Sequence, residues 1–272
     1  MTLATVIKGP EGVVLAAESR VTLRVATGGR ERESTFDHAT KVLSFGAPNT
    51  GFGAVTYGVG VLGRDRTAAS FIPEFEATLP DEAIPVAEFA SRLGDFFRVQ
   101  WQANPPTAKP ADAMSFLVAG FDADDAYARV FQLDVPITVT PIEHFLAPHQ
   151  PPFGARWGGQ KKIVERLLAG FDPLLPEMVR HRLGLDPKQM DEMREAVSAL
   201  ELSVPWEAMA LQDCIDLAIF GIRSTISAQA LSLEVRGCGG AIDVAVITRR
   251  EGLRFVQRKA LVGDHPSGRT ET

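Results

Sequence analysis

Residues 2–18 read Thr2-Leu3-Ala4-Thr5-Val6-Ile7-Lys8-Gly9-Pro10-Glu11-Gly12-Val13-Val14-Leu15-Ala16-Ala17-Glu18. Two apolar segments flank the turn Gly9-Pro10-Glu11-Gly12, a pattern that predicts a β-hairpin. The second strand of such a hairpin returns beside the first, so we expect Glu18 to lie near Thr2. The stretch therefore predicts a hydroxyl and a carboxylate at the same end of one strand pair.

Thr2 follows the initiator methionine directly, and removal of Met1 would give it a free α-amine. A threonine hydroxyl is a poor nucleophile at neutral pH unless a base takes its proton. An α-amine, whose pKa is about 7.7–8, can act as that base. We therefore expect Thr2 to combine a nucleophile and its base in one residue.

Three later segments extend this pattern. Residues 41–45, Lys-Val-Leu-Ser-Phe, predict a short strand, and residues 52–58, Phe-Gly-Ala-Val-Thr-Tyr-Gly, predict another that ends in glycine. Residues 239–252, Gly-Gly-Ala-Ile-Asp-Val-Ala-Val-Ile-Thr-Arg-Arg-Glu-Gly, predict a strand and the turn into the next one. A threonine, an acid, a lysine and a strand-ending glycine thus follow one another in order.

With these blocks, the sequence resembles the proteasome β-subunit family of N-terminal nucleophile hydrolases, as a bacterial proteasome-like homologue. The resemblance implies an α+β fold, a four-layer αββα sandwich of two antiparallel sheets covered by helices. It extends over nearly the whole chain, which we interpret as one domain over residues 1–262.

The resemblance also implies a role for each matching residue. Thr2 would be the nucleophile, Glu18 the acid that orients Lys41, and Gly58 the donor of a backbone N–H to the oxyanion. An ammonium at Lys41 would disfavour protonation of a nearby amine and so lower its pKa. A donor aimed at the developing negative charge typically contributes about 100- to 1,000-fold in rate.

The substrate pocket and the supporting residues follow from the same alignment. Val21 and Thr56 would line an apolar pocket of moderate size. Gly159 and Cys238 occupy positions where the family has serines, and Glu234 matches the family's aspartate only after a shift of one residue. A hydroxyl partner for the amine is therefore expected to be missing at Gly159.

The function implied is a threonine-type endopeptidase that hydrolyses unfolded polypeptides or peptides inside a homo-oligomeric ring, with an ATP-dependent unfoldase as a possible partner. The departures at Gly159 and Cys238 keep two alternatives open. One is a catalytically inert scaffold of the same fold, and the other is a non-proteolytic amidohydrolase.

The composition argues against nucleic-acid binding, a membrane span, a disulfide framework and a metal site. The 272 residues carry a net charge of −6, which gives no basic surface for nucleic acid. There is no run of about 18 apolar residues and no leader pattern, so we expect a cytoplasmic protein without a membrane span. Cys214 and Cys238 are too few for a disulfide framework. The histidines lack zinc-ligand spacing, and we predict no metal and no cofactor.

Helical periodicity is found at residues 64–79, 85–102, 158–170 and 207–229. An insertion at about 171–205, with a helix at 188–200, fits either a solvated helical hairpin or a contact that modifies ring assembly. We place seven extra residues in a loop at 28–34 and expect a disordered tail at 263–272.

A competing motif runs from Gly58 to Gly63 as G-x-G-x-x-G. Between a predicted strand and a predicted helix, this spacing is also typical of dinucleotide binding. That interpretation requires a parallel strand soon after the helix, and the sequence predicts none before residue 114.

Overall fold

A computed structural model describes residues 2–27, 30–106, 112–146, 152–233 and 236–261, with the backbone alone at 23–27 and 30–33. The strands are β1 (Leu3–Gly9), β2 (Gly12–Glu18), β3 (Val21–Thr27), β4 (Arg30–Phe36), β5 (Val42–Ser44), β6 (Phe52–Gly58), β7 (Met114–Gly120), β8 (Arg129–Val135), β9 (Ile142–His144), β10 (Gly154–Gly159), β11 (Ile242–Thr248) and β12 (Gly252–Gln257). The helices are α1 (Ile72–Glu76), α2 (Val86–Ala103), α3 (Lys162–Ala169), α4 (Leu175–Leu183), α5 (Pro187–Ser198) and α6 (Leu211–Ala230), and a 3₁₀ turn at Ala68–Phe71 precedes α1.

The strands form two five-stranded sheets and a separate hairpin. The first sheet has the order β10-β1-β2-β11-β12, the second has the order β5-β6-β7-β8-β9, and β3 pairs with β4. All pairings between these strands are antiparallel. The predicted α+β class with antiparallel sheets is therefore confirmed.

The hairpin predicted for residues 2–18 is also confirmed. Val6 pairs with Leu15, and Ala4 pairs with Ala17. Gly12 is required at the turn, because a Cβ there would lie 2.5 Å from the carbonyl oxygen of Ile247 on β11. The hairpin thus brings the ends of β1 and β2 together at one end of the sheet.

The dinucleotide-binding interpretation of residues 58–63 is wrong. It needs a parallel β-α-β unit, whereas β6 pairs antiparallel with both β5 and β7. The glycine at 58 ends a strand of an antiparallel sheet, and the segment after it forms turns and the 3₁₀ turn rather than a long helix.

Apolar side chains pack in three clusters. One lies between the first sheet and α3 and α6, and another between the second sheet and α1 and α2. The third joins residues of both sheets, such as Val6 and Leu15 with Val55 and Leu117. Because side chains alternate along a strand, Leu3 and Ile7 face α6 while Ala4 and Val6 face the second sheet. The same alternation puts Thr2 on the side of the second sheet.

Three elements differ from the sequence prediction. The helix predicted at 158–170 begins only at Lys162, because Gly158 and Gly159 belong to β10. The helix predicted at 64–79 is shorter in the structure, where this segment forms only the 3₁₀ turn and α1. Pro73 lies in the first turn of α1, where its missing N–H costs no hydrogen bond. The prediction of a loop at 28–34 is wrong from residue 30 onward, because Arg30–Phe36 forms the strand β4. Its charged sequence lacks the apolar alternation by which a strand is recognised.

The predicted insertion at 171–205 contains α4 and α5. Gly184 ends α4 in the left-handed region, and Asp186 caps α5 by accepting a hydrogen bond from the backbone N–H of Gln189. The segment returns to the body at Leu202, whose N–H donates to the carbonyl of Leu168 over 2.8 Å.

The predicted tail at 263–272 lies outside the described residues. Within the part of the chain that the structure describes, no helix has the length and apolar character needed to cross a membrane.

Candidate active site

Thr2 lies at the start of β1, between β2 on one side and β10 on the other. Only 5% of its surface is exposed. Leu3 pairs with Gly159 on β10, and the N–H of Gln160 donates to the carbonyl of Thr2 over 2.7 Å. The backbone of Thr2 is therefore fixed by the end of β10.

The carboxylate of Glu18 is fully buried and accepts hydrogen bonds from four donors. Oε1 accepts from Nζ of Lys41 at 2.5 Å and from the N–H of Leu3 at 3.4 Å. Oε2 accepts from the N–H groups of Arg20 at 2.7 Å and Gly239 at 2.9 Å. A carboxylate bound on both oxygens holds its neighbours in position, and Glu18 thereby links the start of β1 to Lys41.

Lys41 is buried beside this carboxylate. Its ammonium donates to Oε1 of Glu18 and to the carbonyl of Arg20, both at 2.5 Å. Burial lowers the pKa of Lys41 from its ordinary value and outweighs the opposing attraction of Glu18. The N–H of Thr56 on β6 donates to the carbonyl of Lys41 over 2.9 Å, which ties the lysine to the second sheet.

Gly159 explains one departure from the family pattern. Its φ of +82° lies in the left-handed region, and a Cβ there would come closer than 3.0 Å to the carbonyl oxygen of Thr2. The position is therefore not a vacant hydroxyl site. The backbone of β10 approaches Thr2 so closely that it leaves no room for a side chain.

Gly58 is brought to the same end of the molecule. It ends β6 with a φ of +81°, and a Cβ there would overlap the carbonyl oxygen of Ala113. The preceding Tyr57 packs its ring against the backbone of Gly158, the neighbour of Gly159. The structure therefore places the end of β6 across from the end of β10.

No protein-family model matches the chain, and no curated protein is detectably similar to it in sequence. Among solved structures, Anbu from Hyphomicrobium sp. strain MC1 and its Gly-1 mutant each match with a TM-score of 0.56 and 16% identity. These matches cover 94% and 95% of this chain, respectively, and 86% of each Anbu chain. Anbu from Yersinia bercovieri, described as an ancestral β-subunit, matches with a TM-score of 0.55 and 15% identity over 97% of this chain and 88% of its own.

The chain has a proteasome-like fold. At these identities the likeness concerns the fold alone.

Val21 and Thr56 both lie close to the Glu18–Lys41 pair in this proteasome-like fold. Val21 starts β3 three residues after Glu18, and Thr56 is bonded to Lys41. Next to Val21, the hydroxyl of Thr22 is buried and makes no hydrogen bond within the described residues. The sequence prediction did not include Thr22, and only its position beside Val21 would have indicated it.

A second ion pair lies beside the site and was not predicted from the sequence. The guanidinium of Arg20 donates to both carboxylate oxygens of Asp37, at 2.6 and 2.7 Å. These bonds lower the pKa of Asp37. Arg20 also donates to the carbonyls of Arg236 at 3.3 Å and Cys238 at 3.5 Å. No spacing rule connects residues 20, 37 and 238, which only the fold brings together.

Cys238 is buried beside Glu18. Its N–H donates to Oε1 of Gln229 over 2.8 Å, and burial, followed by the negative charge of Glu18, raises the pKa of its thiol to about 12. A thiol with that pKa is protonated and unreactive at neutral pH. Glu234, the other residue predicted in this region, lies outside the described residues.

The replacement Gly159→Ser tests the close approach of β10 to Thr2. Although it restores the residue type of the family, we expect it to lower the free energy of unfolding by more than about 2 kcal/mol, because left-handed strain of about 1–2 kcal/mol adds to the backbone overlap. Gly184→Ser is the matched control, with a φ of +67° and nothing within 4 Å of the added Cβ. Chemical unfolding measures both, and equal losses for the two variants would show that Gly159 has room for a side chain.

Proposed function

We propose that the chain is a threonine-type endopeptidase that uses Thr2, after removal of Met1, to hydrolyse peptide bonds. The observation that carries the proposal is the buried Glu18–Lys41 pair, which is bonded directly to the start of β1. A buried ammonium is costly, and it is retained here next to a residue that needs an electropositive neighbour.

The proposal includes a four-layer αββα arrangement of the chain. It is supported by the three apolar clusters, of which one lies between the sheets and one lies between each sheet and its helices. In such an arrangement, the ends of β1, β6 and β10 form the mouth of a cleft between the two sheets.

In the proposed reaction, the hydroxyl of Thr2 attacks the carbonyl carbon of the scissile bond while its α-amine takes the hydroxyl proton. The ammonium of Lys41 favours the free-base form of that amine, because two positive charges close together repel. The backbone N–H of Gly58 donates to the oxyanion of the tetrahedral intermediate. When the C–N bond breaks, the amine returns its proton to the leaving nitrogen, and an ester on Thr2 remains.

Water then attacks the ester in the same way. The amine takes a proton from the water and returns it to the oxygen of Thr2 as the C–O bond breaks, which releases a carboxylic acid. Glu18 is not a base in this scheme, since both of its oxygens are occupied by donors. Its role is to position Lys41.

The proposed substrate is an unfolded polypeptide or peptide, cleaved inside a ring of identical subunits. The half-buried Val21 and the buried Thr56 provide the walls for the residue before the scissile bond. The description of the Yersinia bercovieri neighbour as an ancestral β-subunit supports a ring, as does the resemblance in sequence.

A second candidate is a catalytically inert scaffold of the same fold. It is favoured by Gly159 and Cys238, since the first carries no hydroxyl and the second is a weak hydrogen-bond donor. A non-proteolytic amidohydrolase would use the same residues on small amides.

The deciding experiment is the intact mass of the purified protein before and after treatment with a peptide epoxyketone, followed by mapping of the adduct. We expect loss of Met1 and one adduct on Thr2, since the reagent bonds to both the hydroxyl and the amine. Retained Met1, or a free Thr2 without adduct, would favour the scaffold. Labelling together with cleavage of small amides but not of peptides would indicate the amidohydrolase.

A further inference from the structure

The peptide group that joins Thr2 to Leu3 is held at both of its polar ends. Its carbonyl accepts from the N–H of Gln160 over 2.7 Å, and its N–H donates to Oε1 of Glu18 over 3.4 Å. Gln160 directly follows β10, whereas Glu18 ends β2, so the two bonds come from opposite sides of β1. The orientation of Thr2 therefore depends on how these two sides are held relative to each other.

A side chain of α6 connects the two sides. Gln229 is buried one residue before the end of that helix. Its Oε1 accepts from the N–H of Cys238 over 2.8 Å, and its Nε2 donates to Oε1 of Gln160 over 3.4 Å. Cys238 precedes Gly239, whose N–H donates to Glu18. Gln229 thus links Gln160 to the segment that binds Glu18.

Together these bonds form a closed circuit around one peptide group. The circuit runs from the carbonyl of Thr2 through Gln160, Gln229, residues 238–239 and Glu18 back to the N–H of Leu3. The ammonium of Lys41 is bonded to the same carboxylate. The circuit therefore fixes the backbone of Thr2 and the ammonium of Lys41 in one frame.

The amide of Gln229 is oriented by its partners. A backbone N–H can only donate, so the amide oxygen faces Cys238 and the amide nitrogen faces Gln160. The position needs a side chain that accepts on one side and donates on the other. Without that side chain, the buried N–H of Cys238 would lose its acceptor, which is costly.

Gln229 also continues the buried stripe of α6. Ile222 and Thr225 precede it on that stripe at helical spacing. An apolar side chain at 229 would add to the core, whereas an amide must be paired on both sides to be tolerated there. The amide therefore serves its two hydrogen bonds rather than the packing of the helix.

We propose that Gln229 is a positioning residue of the peptidase site, which keeps Thr2 in the orientation for attack by joining Gln160 to Cys238. The proposal rests on the proposed peptidase function. Among the described residues, the amide of Gln229 bonds to Gln160 and Cys238 and not to Thr2 or Lys41. Its effect on the reaction is therefore indirect.

Gln229→Met tests this role, because methionine has a similar length and removes both polar groups. We expect kcat for peptide cleavage to fall about 10- to 100-fold, since a displacement of about 1 Å at the reacting atoms can cost that much. KM should stay near its wild-type value. The rate of epoxyketone labelling should fall with kcat, whereas its final extent should stay at one adduct per chain.

A purely structural role would give a different result. It would lower the extent of labelling in proportion to the unfolded protein and leave the rate per folded molecule unchanged, which would overturn the proposal. Gln212→Met is the matched control, because Gln212 lies exposed on the same helix and bonds to Asp216 over 3.0 Å. A loss of kcat in Gln229→Met no larger than in this control would also overturn the proposal.

Gln160→Met removes the other end of the link and keeps the backbone N–H that binds Thr2. Its side chain is half-buried, so this variant decides the question if Gln229→Met does not fold. We expect it to lower kcat, and we expect the double variant to be no slower than Gln229→Met, since both changes remove the same link. Unchanged kcat in Gln160→Met, or effects that multiply in the double variant, would contradict the proposal.

Hydrogen exchange separates the link from the chemistry. The N–H groups of Gln160 and Gly239 should exchange faster in Gln229→Met than in Gln212→Met, whether or not the wild-type protein is labelled by an epoxyketone. Faster exchange without wild-type labelling would mean that the link exists and the peptidase proposal fails. Equal exchange in the two variants would mean that the link itself fails.

Discussion

Thr2→Ala is expected to reduce peptide cleavage at least about 1,000-fold, because removal of a nucleophile leaves only the contribution of binding and of the oxyanion donor. The side chain is small, and its loss removes none of the hydrogen bonds that fix the backbone of Thr2. The fold should therefore persist. Cleavage of a fluorogenic peptide and epoxyketone labelling measure the effect, and circular dichroism measures the fold.

Thr2→Ser is the matched control for this variant. It keeps both the hydroxyl and the α-amine and removes only a methyl group, so we expect cleavage and labelling to persist. Undiminished cleavage by Thr2→Ala would rule out Thr2 as the nucleophile. Loss of activity in both variants would instead indicate that the site requires the shape of threonine.

Lys41→Met is expected to lower peptide cleavage by about 100-fold or more, because the ammonium supports proton transfer by the α-amine of Thr2, and positioned proton transfer typically contributes about 100- to 10,000-fold. It should also lower the free energy of unfolding by about 3–5 kcal/mol, because the carboxylate of Glu18 stays buried without its cation. Among the described residues, only the backbone N–H groups of Leu3, Arg20 and Gly239 would then donate to it. Kinetics and chemical unfolding measure the two effects separately.

Two further variants show whether the loss of stability in Lys41→Met comes from the unpaired carboxylate of Glu18. Glu18→Gln with Lys41→Met removes both charges, and we expect it to recover much of the lost stability but none of the activity. Lys188→Met removes a lysine from an exposed pair with Glu192 and should change the stability by less than about 1 kcal/mol. Full activity in Lys41→Met would contradict the proposed role of the ammonium.

The sequence predicted the parts of the fold that depend on short-range patterns. The hairpin of β1 and β2 follows from apolar alternation around a Gly-Pro turn, and α2 and α6 follow from helical periodicity. β4 was missed because Arg30–Phe36 is too polar for alternation to be visible.

The site was predictable to the extent that it follows from the order of motifs along the chain. The Glu18–Lys41 pair was expected from the resemblance, and the structure shows the contact. The Arg20–Asp37 pair and the N–H of Gly239 on Glu18 were not expected, since they join segments that no local rule connects. The interpretation of Gly159 changed for the same reason, because the approach of β10 to Thr2 is a long-range contact.

The hydrogen bond from Gly239 to Glu18 joins residues 221 positions apart. During synthesis, the carboxylate that holds Lys41 therefore lacks one of its donors until residue 239 has left the ribosome. The same holds for the carbonyls of Arg236 and Cys238 that bind Arg20. Truncated or unfinished chains contain Thr2, Glu18 and Lys41 but not the last segment that fixes them. The hydrogen bonds that hold Glu18 and Lys41 are therefore complete only after residue 239 has been synthesised and has folded back onto β2.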